Sequence, residues 1–168
     1  MSDRKPPTEL VLSDDGAEVI AEREGCVLHS YFDSRGILSL GLGHTSAAGS
    51  PKVYEGMVIT EDQAWGIFRE DNKRFRKECL KLVKAPLHQY EFDALASFVY
   101  NVGSTQFAGS TALKRLNQGD YAGCAEAMLM WNKPPEVVSR RQGEYVEFLY
   151  ADYVARVPDL NAYVPPSA

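Results

Sequence analysis

Glu24 to Thr45, EGCVLHSYFDSRGILSLGLGHT, holds most of the residues in this 168-residue chain whose types and spacing could do chemistry. It sets one acid at the end of a helical pattern (Glu24), a second before a turn (Asp33), a hydroxyl on the returning run (Ser39), and a glycine-rich run closing on His44 and Thr45. Two carboxyl groups divide acid and base work when their surroundings push their protonation apart, one donating a proton while the other, ionised, activates water. A helix C-terminus disfavours ionised Glu24 by only about 0.3–1 kcal/mol, less than one pKa unit, so partial burial must supply the rest of an acid's character. Such a pair suits inverting glycoside hydrolysis, in which the carboxyl groups stand roughly 6.5–9.5 Å apart with a water between them.

Taken singly, these residues have plainer readings: Glu24 as a solvated residue at a helix end, and Asp33 as a turn former. Extended chain from Glu24 to Asp33 would span about 30 Å, so the segment must fold back across the helix end if the two are to cooperate. The turn cluster Asp33-Ser34-Arg35-Gly36 between two β-compatible runs reads as a hairpin. A two-residue loop pairs Asp33 with Gly36 and turns Ser39 to the opposite face. A three-residue loop with Gly36 in the left-handed conformation pairs Asp33 with Ile37 instead and brings Ser39 to Asp33's face. Gly36 motivates the second, in which a carboxylate and a hydroxyl grip one water.

The elements that must position these groups follow from caps and periodicity. Ser13 or Asp14 caps a short helix whose Ala17, Ile20 and Ala21 share a face and which Gly25 stops. Gly41, Gly43, Gly49 and Pro51 punctuate a loop, and Val53 to Ile59 read as a third short strand. Thr60 with Gln63 forms a capping box that opens a long helix ending before Pro86, about 36 Å if it runs for some 24 residues, enough to join two lobes. Helices are then expected over His88–Val102, Thr111–Gln118 after Ser110, Tyr121–Trp131 after Asp120, and from about Glu136 to Tyr153. The expected organisation is a flexible start (1–12), a helix with a small β lobe carrying the acids (13–59), an interlobe helix (60–84), a helical lobe (85–154) and a surface tail (155–168). The fold class is α+β.

Eighteen Lys and Arg against 23 Asp and Glu give a net charge of −5, which argues against a dedicated nucleic-acid binder. The basic residues from Arg69 to Lys84 are interrupted by Glu70, Asp71 and Glu78 and read as a solvated helix face. No run approaches the roughly 18 apolar residues of a membrane span, and the opening residues lack a signal-peptide core, so synthesis in the cytoplasm is expected. Cys26, Cys79 and Cys124 are odd in number and far apart, which points to reduced thiols and no metal. Acid and base suffice for the chemistry, so no cofactor is expected.

The sequence resembles the phage lysozymes and endolysins of glycoside hydrolase family 24, the muramidases. The resemblance rests on Glu24-Gly25, Tyr31, Asp33, Gly36, the run Gly41-Leu42-Gly43-His44-Thr45, and Phe98-Val99-Tyr100-Asn101-Val102-Gly103. It continues through Phe107-Ala108-Gly109-Ser110-Thr111, Leu116-Asn117, Trp131, and Arg140-Arg141 with Glu144. It covers about residues 15 to 150. It implies a lysozyme-like fold and hydrolysis of the β-1,4 bond between N-acetylmuramic acid and N-acetylglucosamine in peptidoglycan. By position, Glu24 resembles the proton donor, Asp33 the residue that activates water and Ser39 the third member of the triad.

The family usually has Thr where this chain has Ser39, after an aromatic residue where this chain has Leu38. Serine keeps the hydroxyl but loses the β-branch that restricts χ1. Thr45, Tyr100 and Asn101 resemble residues that contact sugar. His44 is grouped with them, with a structural part beside Glu24 as the first reading and a second proton carrier as the other. Arg140 or Arg141 reads as a structural neighbour able to pair with Glu24, and His29 and His88 read as bystanders. The implied partner is the glycan strand of the bacterial wall, met by a monomer that neither inserts into membranes nor binds nucleic acid and that reaches the periplasm after release. Two competing readings stand beside this one: a lytic transglycosylase, which needs only the glutamate, and a wall-binding domain that does not cut.

Overall fold

The computed structural model describes residues 3–167 of the chain, so Met1 and Ser2 of the expected flexible start lie outside the described residues. Seven α-helices are found among them: α1 Asp14–Glu24, α2 Glu61–Leu82, α3 Gln89–Val102, α4 Ser104–Ala108, α5 Thr111–Asn117, α6 Tyr121–Met128 and α7 Val138–Tyr150. Three short strands, β1 Val27–Phe32, β2 Leu38–Gly41 and β3 His44–Thr45, form an antiparallel sheet in the order β1-β2-β3. The chain divides into two compact units, one of residues 21–74 and one formed by the residues up to Ile20 with those from Phe75 onward. It passes from one to the other within α1 and again within α2.

In the smaller unit the hairpin closes through a three-residue loop. The Asp33 N–H donates to the Ile37 carbonyl at 2.9 Å, and Gly36 takes φ +75°. The register then pairs Phe32 with Leu38 and Tyr31 with Ser39, before a bulge on β1 shifts the pairing so that Val27 meets Gly41. The third strand is His44–Thr45, and the expected strand at Val53–Ile59 contributes only an isolated bridge, His29 with Val58, along the other edge of β1. The glycine spacing explains the difference. Gly41 at φ +62° and Gly43 at φ +83° reverse the chain within two residues and bring His44 back beside Leu40. Leu40, Ile59 and Ala64 form the small core, with Val53, Met57 and Ile67 packed against it. The capping box at the start of α2 is formed as expected: the Thr60 N–H donates to Gln63 Oε1 at 2.8 Å and the Gln63 N–H to Thr60 Oγ1 at 3.2 Å.

The larger unit is built around α3, in which every residue from Glu91 to Val99 is buried. Phe98 meets the rings of Phe107 and Trp131 edge-on at 6.2 and 6.1 Å, and Leu113, Leu116, Met128 and Phe148 complete its surroundings. Ser110 and Asp120 cap α5 and α6 as expected. α6 ends at Met128 rather than Trp131, because the N–H groups of Leu129, Met130 and Trp131 reach back three residues and tighten the chain. α7 ends at Tyr150 rather than Tyr153, where Ala151 turns left-handed at φ 56°. The short α4, between Gly103 and Gly109, has no counterpart in the sequence reading.

Segments near both ends of the described residues are tied down. Lys5 and Leu87 exchange two backbone hydrogen bonds of 2.8 Å, and Arg4 pairs with buried Glu91 at 2.7 Å while lying 3.6 Å over the Tyr121 ring. Asp93, fully buried in α3, accepts from the Ser13 N–H and hydroxyl, Gln89 and Tyr153. Burial pushes its carboxyl above the usual range, and these donors pull it back. Ser13 caps α1 through the Gly16 N–H at 3.0 Å, and Gly16 has no room for a side chain, since a Cβ would stand 2.6 Å from Asp93 Cγ. In the tail the Val157 N–H donates to the Ser139 carbonyl at 2.9 Å and the Tyr163 hydroxyl to Asp152 at 2.6 Å. Cys79 and Cys124 are buried free thiols, pushed up to about 12 by desolvation, and Cys26 is an exposed one.

Candidate active site

Glu24 is the last residue of α1 and is half-buried. Gly25 follows at φ +72°, its N–H closing the helix on the Ala21 carbonyl at 2.9 Å, and the chain turns directly into β1. Asp33 lies at the other end of β1. Both carboxylates act on one phenol: the Tyr31 hydroxyl is held above its usual pKa first by burial, then by Glu24, then by Asp33. The fold-back of β1 thus brings the influence of both acids to a single residue.

The turn itself immobilises Asp33. Its Oδ1 accepts the backbone N–H groups of Arg35 and Ile37, both at 2.8 Å, and Arg35 Nη2 stands 3.5 Å from Oδ2. The Ile37 N–H does most to hold this carboxyl below the usual range; desolvation, the next largest influence, opposes it, and the Arg35 N–H and guanidinium add to the lowering. The turn therefore favours the ionised form of Asp33, with Oδ1 fixed by backbone and Oδ2 facing the Arg35 guanidinium.

Register decides what shares its face. Residues directly opposite one another in a sheet point to the same side, so Tyr31, Ser39 and Thr45 form a row across the three strands, with Asp33 next along β1 on that side. Ser39 is buried and its hydroxyl donates to the Ile37 carbonyl at 3.2 Å, and Thr45 is half-buried. The structure thus gathers Glu24, Asp33, Ser39 and Thr45 in the smaller unit.

His44 takes a structural place, the first of its two readings, rather than one among the sugar contacts with which it was grouped. It pairs with Leu40 in the sheet and faces the core, 1% exposed. Its Nδ1 lies 2.7 Å from Asp71 Oδ2 and its Nε2 2.7 Å from the Pro51 carbonyl, so both ring nitrogens are committed to acceptors. Such a ring can neither touch sugar nor carry a proton to it. Burial alone would lower its pKa, but Asp71 and the Pro51 carbonyl outweigh that and raise it, which fits an imidazolium donating from both nitrogens. Asp71 is the residue that sequence reasoning missed. It follows Ala64 and Phe68 on the buried stripe of α2, and an acid on that stripe is the signal that it has a partner inside. Arg74, also on α2, donates to the carbonyls of Ala48 and Ser50, so α2 grips the loop after β3 at several points.

Tyr100, Asn101, Arg140 and Arg141 belong to the larger unit. Tyr100 is half-buried near the end of α3, meeting the Phe75 ring edge-on at 6.4 Å. Asn101 is exposed, and its Oδ1 accepts from Arg141 Nη2 at 2.5 Å, which leaves its amide N–H groups pointing elsewhere. The two arginines are buried around Glu144: Arg140 Nε donates to Oε1 at 3.0 Å and Arg141 Nη1 to Oε2, while the Ser97 hydroxyl reaches Oε1 at 2.7 Å. Arg140 also donates to the Ser97 carbonyl and Arg141 to that of Trp131. These bonds tie α7 to α3 within this unit. Among the described residues no cluster of His, Cys, Asp or Glu is arranged to hold a metal ion.

The phage lysozyme family model matches residues 21–144. The endolysin of Salmonella phage P22 is 37% identical over 142 residues, covering 82% of this chain and 97% of that protein. Among solved structures, an endolysin from Escherichia coli O157:H7 phage FAHEc1 superposes with a TM-score of 0.79 at 38% identity, covering 86% of this chain and 96% of the other. The muramidase domain of SpmX from Asticaccaulis excentricus gives a TM-score of 0.75 at 31% identity, over 83% of this chain and 98% of that one. The family match spans residues 21–144, most of the chain, and this chain belongs to the phage lysozyme family.

Proposed function

We propose that this chain is an endolysin-type muramidase, which hydrolyses the β-1,4 bond between N-acetylmuramic acid and N-acetylglucosamine of bacterial peptidoglycan and inverts the anomeric centre. The observation that carries this reading is the state of Asp33: a carboxyl whose ionised form its own turn favours, with Oδ2 outside the two backbone hydrogen bonds and a hydroxyl-bearing row beside it, in a chain whose Glu24 acts on the same Tyr31. Glu24 gives its proton to the glycosidic oxygen as the bond from that oxygen to C1 breaks. A water held by Asp33 and Ser39 attacks C1 from the opposite face and passes its own proton to Asp33, so one water is consumed and the acid and base are reset through solvent. Thr45, Tyr100 and Asn101 contact the glycan, the last through the amide hydrogens that its bond to Arg141 leaves available. A monomer meets the wall after release from the producing cell and works with neither nucleic acid nor membrane insertion. Among the described residues no helix is long and apolar enough to cross a membrane.

The lytic transglycosylase reading gives Asp33 nothing to do, whereas the turn spends two backbone N–H groups on holding it. The deciding experiment is clearance of outer-membrane-permeabilised cells by wild type and Glu24→Gln, with mass spectrometry of the digested wall. The expected result is loss of clearance in the variant and hydrated reducing ends from wild type. Anhydro products would refute hydrolysis, and an inactive wild type would leave a binding domain.

A further inference from the structure

Arg35 sits at the tip of the hairpin with 74% of its side chain exposed and plays no part in the scheme above. Its surroundings give it one. Oδ1 of Asp33 takes two backbone N–H groups and is saturated in the plane of the turn, so catalysis falls to Oδ2. The guanidinium stands 3.5 Å from Oδ2, close enough for an ion pair and too far for a strong hydrogen bond, which leaves a lone pair of that oxygen for water. Tyr31 stands two residues before Asp33 on the same face of the sheet and is neutral in the working range. Arg35 is the cation that acts on Asp33.

We propose that Arg35 is a positioning residue for the water-activating carboxylate, its backbone N–H fixing Oδ1 and its guanidinium keeping Oδ2 anionic and aimed at the attacking water. This rests on the reading of Asp33 as the base. Because the contact is exposed it is weak, and salt screens it. An exposed pair of this kind shifts a carboxylate by about 0.2–0.7 pH unit. The backbone N–H survives any non-proline substitution, so side-chain variants isolate the guanidinium.

The test uses the full chain and two readouts: the acid limb of the pH–rate profile on soluble peptidoglycan fragments, and the Asp33 carboxyl titration followed by carbon-13 NMR. In Arg35→Gln both should move up together, by about 0.2–0.7 pH unit, while Arg35→Lys should restore most of the shift. Raising the salt should move the wild type toward the Gln variant and leave that variant in place. An Asp33 titration unchanged in Arg35→Gln overturns the proposal. A titration that moves while the acid limb stays still keeps the contact and overturns Asp33 as the base.

Discussion

Replacing Asp71 by Asn keeps the shape of the buried partner of His44 and removes its charge. The two side chains are 1% and 4% exposed and 2.7 Å apart, so water does little to screen them or to replace the lost interaction. Removing one partner of such a pair costs about 3–5 kcal/mol, a large share of the roughly 5–15 kcal/mol that keeps a domain folded. At about 2–4 °C per kcal/mol for a domain of this size, melting should fall by roughly 6–20 °C. The pH dependence carries the sharper test. His44 is raised above its unfolded value of about 6.5, so the stabilisation is fully present below that pH and is lost as pH rises through the folded value. Urea denaturation of wild type and Asp71→Asn, followed by circular dichroism between about pH 5 and pH 10, should show a gap that is widest near pH 6 and narrows in alkali. A gap below about 1 kcal/mol, or one that widens with rising pH, would refute the reasoning.

Ser39→Thr should keep or raise the muramidase rate, since the hydroxyl remains and the β-branch restricts its rotamers. A large loss of rate with an unchanged melting temperature would remove Ser39 from the triad. Gly16→Ala should destabilise by about 1–3 kcal/mol, because the new Cβ meets Asp93 Cγ at 2.6 Å and must displace a side chain held by four donors. Denaturant midpoints would show it, and a neutral result would mean that α1 can shift there without cost.

Local chemistry was legible in the sequence. The caps at Ser13, Thr60, Ser110 and Asp120 sit where their residue types demanded, because a cap is satisfied by its own helix. Gly36 revealed the hairpin register, because a left-handed residue at that place permits only one loop length with Ser39 on Asp33's side. Partners distant along the chain stayed hidden. Nothing near His44 says that its acid is 27 residues away on α2, nor that Arg141 is held by Glu144, Asn101 and the Trp131 carbonyl. The third strand was missed for a related reason: Val53–Ile59 has strand composition but meets only the outer edge of β1, in a single bridge, while Gly41 and Gly43 fold His44–Thr45 onto β2.

The segment shared with the family begins at residue 21 and stops at residue 144, yet Glu91 and Asp93 inside it take their partners from beyond both limits, from Arg4, Ser13 and Tyr153. A minimal version trimmed to those limits would keep every proposed catalytic group but would take Arg4 from Glu91 and Ser13 and Tyr153 from Asp93, leaving these two acids of the first turns of α3 with the His88 N–H and Gln89 as their partners. For anyone engineering this enzyme, the segments carrying Arg4 and Tyr163 are fastenings: a cut that removes either costs durability before it costs chemistry.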